Sequence, residues 1–175
     1  DSAVILIGYG GALRRSELAA LDVGDVVSAE QGLIITLRSS KTDQEGHGDL
    51  IAIHRGRDPR LCASALLASW LEPSGIEDGP LFRPLAGPGG AGVRPERLTD
   101  KSVALIVKRA AERIGLDPED FAAHSLRAGL ATSAALAGAD LLAIMRQTRH
   151  KSVDVARGYV RIADIWRDNV TARVL

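Results

Sequence analysis

Two stretches of this chain, GLIITLR at 32–38 and LIAIHR at 50–55, are dense in β-branched and aliphatic residues. The segment between them, SSKTDQEGHGD, is polar and holds two glycines. That arrangement predicts one antiparallel hairpin with a long loop. The other regular apolar patterns have a helical period. The expected fold class is therefore mainly α with a small antiparallel β-sheet (α+β). A repeated strand–helix–strand pattern is missing, and the glycines match neither a Walker loop nor GxGxxG at a strand–helix junction, which argues against a nucleotide-binding fold.

Helices are expected at residues 2–9, from Leu13 to Leu21, and from the Asp58-Pro59 start to about Glu72, before Pro73. Another runs from the Thr99 or Asp100 cap to near Gly115, followed by a short turn at Asp117-Pro118. Three more should follow, from Ser125 to Ala137, over 140–147, and from the Ser152 cap through Tyr159. Residues 84–95 read as a Gly/Pro loop. The tail 162–175 carries Ile162, Ile165, Trp166 and Val170 at roughly helical spacing.

At 175 residues and 46% hydrophobic the chain suits one domain with a proper core. No apolar run approaches the roughly 20 residues of a membrane span, and no basic segment precedes Ala3–Ile7 as a signal peptide requires. The lone Cys62 forms no internal disulfide, which fits a reducing compartment, and one Cys with four separated His leaves no zinc cluster. Net charge is zero, yet unevenly spread: residues 1–87 carry 8 Lys+Arg against 12 Asp+Glu, and residues 88–175 carry 14 against 10. A basic half can face phosphates while an acidic half faces away. The chain begins without Met inside an apolar pattern, so it is expected to be a fragment.

Four groups of polar residues stand out. Arg14, Leu18 and Leu21 share a face of the expected second helix, where a guanidinium out of water needs an anion. Glu17 supplies one, so a structural Arg14–Glu17 pair is the simpler account of that segment. Arg15 points to the other side, toward solvent. His124 and Arg127 lie one turn apart at the start of a helix, where free N–H groups and the arginine fork suit a phosphate. Taken alone, a capping histidine beside a surface arginine is the simpler account of them. His150 precedes the Ser152 cap, and Tyr159 falls within the next helix, where a tyrosine is usually packing. Lys41 sits in the hairpin loop, where a lysine is usually a solvated charge.

Taken in order, these residues resemble the tyrosine site-specific recombinase (phage integrase) family. That family's first arginine motif is approximately GLRxSEL, and residues 11–18 are GALRRSEL. Its lysine lies on a β-hairpin, as Lys41 does here. Its HxxR box is matched by His124-Ser125-Leu126-Arg127, its later histidine by His150 about two dozen residues on, and its tyrosine by Tyr159 nine residues after that. The resemblance runs from Gly11 to Tyr159. It departs at Arg149, where the family usually has glycine. A larger side chain there either alters the backbone approach to DNA or adds a phosphate contact.

The resemblance implies a catalytic domain over residues 1–175, with the family's N-terminal DNA-clamping domain absent and the start of the catalytic domain cut short. It implies double-stranded DNA as partner, no metal or other cofactor and no small-molecule substrate. Tyr159 would attack the scissile phosphate to give a 3′-phosphotyrosyl enzyme and a free 5′-hydroxyl. Arg14, Arg127 and His150 would hold the non-bridging oxygens, with Glu17 fixing Arg14. His124 would orient the phosphate and assist removal of the tyrosine proton, and Lys41 would protonate the leaving 5′-oxygen. The tail would dock on a neighbouring subunit of a homotetramer, or else fold back on its own domain, and the isolated fragment would be a monomer. A bacterial, phage or plasmid enzyme acting in the cytoplasm at the nucleoid is expected. The alternatives are a type IB topoisomerase-like relaxing enzyme and a DNA-binding relative that no longer cuts. A helical interaction module explains none of the ordered polar residues.

Overall fold

The computed structural model describes residues 1–38, 48–87, 92–122, 124–164 and 170–174. Helix α1 (Ser2–Gly10) is apolar along its length and buries Ala3, Val4 and Ile7. Helix α2 is Arg15–Ala20, shorter than the periodicity predicts. Arg14 is not part of its face: it is the N-cap residue, extended at φ −69° and ψ 153°. The start is set by Glu17, whose carboxylate accepts from the Arg14 N–H at 2.8 Å, the reciprocal half of a capping box.

The sheet has three antiparallel strands in the order β1 (Val26–Ala29), β2 (Gly32–Leu37), β3 (Asp49–His54). The β2–β3 hairpin lies where the sequence places it, with Ile34 opposite Ala52 and Leu37 opposite Asp49. Strand β1 is an addition. Its four residues, VVSA, are too few to show a period, and pairing with β2 across a two-residue turn holds them. Leu33, Ile35 and Leu37 alternate with Ile34 and Thr36, so one face of β2 enters the core.

Asp58 caps a short 3-10 turn, Pro59–Leu61, rather than the long helix expected from it. Helix α3 (Ala63–Ser74) starts after Cys62 and runs through Pro73 in its last turn. It ends at Gly75, left-handed at φ 64°, whose N–H bonds Leu71 O at 3.0 Å. Helix α4 (Asp100–Arg113) begins at the Thr99 cap, as read from the sequence. Helix α5 (Ser125–Leu136), α6 (Leu141–Thr148) and α7 (Val153–Asp164) follow, with Asp140 capping α6.

Two apolar clusters result. The larger joins α1, α2, the sheet, α3 and α4 around Ile7, Leu18, Leu33, Ile35, Phe82 and Val103. The smaller joins α5, α6 and α7 around Ala131, Ala135 and Ile144, with Tyr159 and Val160 packed against it. The small residues of α5 let α7 approach closely, and α5 also packs on α1. No helix among the described residues is long and apolar enough to cross a membrane.

Candidate active site

The two clusters meet at the turn leaving α1. Ala12 stands there at φ 47°, a left-handed conformation costly for a residue with a Cβ. The turn aims three successive carbonyls at the second cluster. Gln147 Nε2 donates to Gly10 O at 2.8 Å, and Arg149 Nη1 to Gly11 O at 3.0 Å. Arg127 Nη1 and Arg149 Nη2 donate to Ala12 O at 3.1 and 3.2 Å. Gln147 also reaches Ala52 O of β3 at 3.0 Å. The small pair Gly11-Ala12 therefore lies beside the arginine of the first motif and receives the arginine of the HxxR box.

Arg127 is 4% exposed. It lies on the first turn of α5 and donates from Nε to His150 Nε2 at 3.3 Å. Burial first, then the charges of Arg14 and Arg149, lower its pKa to about 10, so it stays protonated at neutral pH. A buried guanidinium held this way gains from any anion that enters.

His150 sits just beyond the end of α6. Thr148 Oγ1 donates to Ile144 O at 2.7 Å and lies 2.8 Å from His150 Nδ1. Its single hydrogen being used, the hydroxyl accepts from Nδ1–H, which leaves Nε2 as the acceptor facing Arg127. Burial, then the charges of Arg127, Arg14, Arg149 and His124, push the imidazole down to about 4. It is neutral in the DNA-free protein. The His150 ring stacks on Tyr159, centroids 5.6 Å apart and planes at 17°. Tyr159 is half-buried on α7.

Arg14 and Glu17 form the ion pair expected between them. The carboxylate has a second partner that the sequence does not announce. Arg149 Nη2 donates to Glu17 Oε2 at 2.8 Å, and the Arg149 side chain is only 9% exposed. Burial alone would raise the Glu17 carboxyl; the Arg14 N–H and the Arg149 charge outweigh it and hold Glu17 below its ordinary value. Of the two roles offered for a large residue at 149, a DNA phosphate contact does not fit this inward geometry. Arg15 is half-buried, with Asp100 at 3.8 Å, rather than simply solvated.

His124 is exposed at the N-cap of α5, where its side chain makes no capping bond. It is close enough for its charge to act on His150. Lys41, Ile165 and Trp166 lie outside the described residues. The structure thus brings together Arg14, Glu17, Arg127, His150 and Tyr159, with His124 at the rim. Arg14 and Arg149 pair with the Glu17 carboxylate while Arg127 is held by a carbonyl and an imidazole, so the pocket has a surplus of positive charge beside a phenol, an arrangement suited to an oxyanion under nucleophilic attack. Sequence reasoning missed Gln147 as a tie and Arg149 as an internal ion pair; the only local signal was a large side chain where a turn favours glycine.

The model of the phage integrase family matches residues 1–164. An integrase/recombinase XerD homolog from Selenomonas ruminantium is 45% identical over 174 residues, covering 99% of this chain and 50% of that protein. A tyrosine recombinase XerC from Herpetosiphon aurantiacus is 31% identical over 166 residues, covering 94% of this chain and 48% of that one. The chain thus spans about half the length of the curated relatives it matches. The crystal structure of the XerH site-specific recombinase bound to a palindromic difH substrate superposes with a TM-score of 0.67 at 20% identity, over 95% of this chain and 45% of that one. That likeness is one of fold.

Proposed function

Because the chain belongs to the phage integrase family of tyrosine recombinases, we propose that it is the catalytic domain of a site-specific recombinase that cleaves and rejoins double-stranded DNA in a bacterial cytoplasm. The observation that carries this is the meeting of Arg127 on α5, His150 in the turn after α6 and Tyr159 on α7, beside the Arg14–Glu17 pair. The relatives are recombinases, so the topoisomerase-like alternative is not favoured.

Tyr159 Oη attacks the scissile phosphorus in line. A P–O bond to tyrosine forms, and the bond to the 5′-oxygen breaks. Arg14 and Arg127 clamp the non-bridging oxygens as charge builds. The entering oxyanion replaces the hydrogen bond between Arg127 Nε and His150 Nε2. His150 then takes up a proton and donates from Nε2, with Nδ1–H still held by Thr148. His124, at the rim, orients the phosphate and accepts the phenolic proton. Lys41 on the β2–β3 loop delivers a proton to the 5′-oxygen. The phosphotyrosine bond conserves the energy of the phosphodiester, so a 5′-hydroxyl of a partner duplex reverses the step and exchanges strands. The tail 162–175 joins subunits into a tetramer on DNA.

The test is covalent capture. A pool of duplexes with a randomised 40-base-pair region (a length of about four helical turns) and a nick every few positions is incubated with the intact protein. Protein-linked DNA is then recovered under denaturing conditions and sequenced. An adduct enriched for one sequence is expected, with none from Tyr159→Phe. No adduct from the unaltered protein, or an equal yield from Tyr159→Phe, refutes the reading.

A further inference from the structure

Arg149 sits in a backbone conformation that an arginine adopts only at a cost. It closes α6 at φ 55° and ψ 39°, the left-handed region where glycine is unstrained. An arginine serving only the surface would gain nothing to offset that strain. Here the side chain turns inward and is 9% exposed. Its fork spans Gly11 O, Ala12 O and Glu17 Oε2, at 3.0, 3.2 and 2.8 Å. Its Nε is buried with no hydrogen-bond partner among the described residues and lies 3.9 Å from Asp49 Oδ2. Asp49 opens β3, at the base of the hairpin whose loop carries Lys41.

Glu17 uses both oxygens. Oε1 takes Arg14 Nη1, and Oε2 takes Arg14 N and Arg149 Nη2. The orientation of the carboxylate, and through it of Arg14, is therefore tied to Arg149. The adjacent residue is His150. One side chain joins the turn bearing His150, the turn bearing Arg14 and the start of β3, the strand that follows the lysine loop.

We propose that Arg149 is a positioning residue of this site: it sets Arg14 through Glu17 and pins the His150 turn to the Gly11-Ala12 carbonyls, without itself touching DNA. A lysine cannot replace it, since a single ammonium lacks the planar fork that meets two carbonyls and a carboxylate in fixed directions. Its consequence in turnover rests on the DNA-cleaving reading; its geometry does not.

The experiment compares Arg149→Gln, Arg149→Gly and Arg149→Lys in the intact protein, alone and combined with Glu17→Gln. The duplex recovered by covalent capture serves as substrate. Single-turnover cleavage should fall about 100-fold in Arg149→Gln, the scale of loss when a reacting group is displaced by about an ångström, while DNA affinity changes little. Arg149→Gly should lose as much although glycine relieves the strained turn, and Arg149→Lys should recover only part. Adding Glu17→Gln to Arg149→Gln should cost little more, because the two act through one carboxylate. Cleavage at the unaltered rate in Arg149→Gln, or losses that multiply with Glu17→Gln, overturns the proposal. Should the unaltered protein form no adduct, the recombinase reading fails by itself. NMR of the DNA-free protein still decides this one: the His150 imidazole must titrate higher in Arg149→Gln, and an unmoved titration overturns the proposal.

Discussion

The imidazole of His150 lies against the phenol ring of Tyr159, with centroids 5.6 Å apart and planes 17° from parallel. The stack needs the rings and not the hydroxyl. Tyr159→Phe should therefore keep its urea midpoint while losing all covalent product. Tyr159→Ala should lose about 1–2 kcal/mol as well, since a half-buried aromatic leaves the α5–α7 contact. Urea unfolding and a denaturing gel read both. A Phe variant as unstable as the Ala variant would show that the hydroxyl, not the ring, holds α7.

The His150 titration makes stability depend on pH. The folded protein protonates this ring only near pH 4, against an ordinary value of 6.5. Between the two the unfolded chain binds more protons, so stability falls as pH drops from about 6.5 to about 4. His150→Gln should flatten that part of the curve, measured as urea midpoints at half-unit pH steps. A variant with the same slope as the unaltered protein would place the titration elsewhere.

A bound phosphate reverses the surroundings that keep His150 neutral, so complex formation should take up a proton. DNA affinity should then rise as pH is lowered from 7 toward 5.5, and calorimetry in buffers of different ionisation heat should count the proton. Proton uptake unchanged by His150→Gln would assign it to another group.

Glu17 is 6% exposed at its side chain and answers two arginines, at 20% and 9%. Glu17→Gln leaves both cations in place with the anion gone, a loss of roughly 2–4 kcal/mol in urea unfolding. An unchanged midpoint would mean that water already satisfies those guanidiniums.

Lys41 is testable through the leaving group. A 5′-thiolate departs without a proton, so Lys41→Ala should cleave a 5′-bridging phosphorothioate duplex near the rate of the unaltered protein and an ordinary duplex far more slowly. Equal impairment on both substrates would remove Lys41 as the acid.

Much of this was legible in local pattern. The hairpin showed in the β-branched runs at 32–38 and 50–55, α4 and α6 in their Thr99 and Asp140 caps, and the fold class in the balance of periods. The order GALRRSEL, Lys41, HSLR, His150, Tyr159 pointed to the chemistry. Where local pattern was too short or ambiguous it misplaced things. Strand β1 has four residues and is held by its neighbour, and Arg14 entered the expected helix because its role as a cap depends on where Glu17 turns.

The sequence by itself determined which elements form and which residue types are available for the reaction, because helix period, strand alternation and capping act over a few residues. Only the tertiary structure decided that Ala12 O meets Arg127, 115 positions away, and that Arg149 turns inward to Glu17, 132 positions back. Those meetings arise from the closure of two apolar clusters onto one turn. The direction of a buried charge then follows from which carbonyl or carboxylate that closure puts within 3 Å, a distance that residue order does not encode.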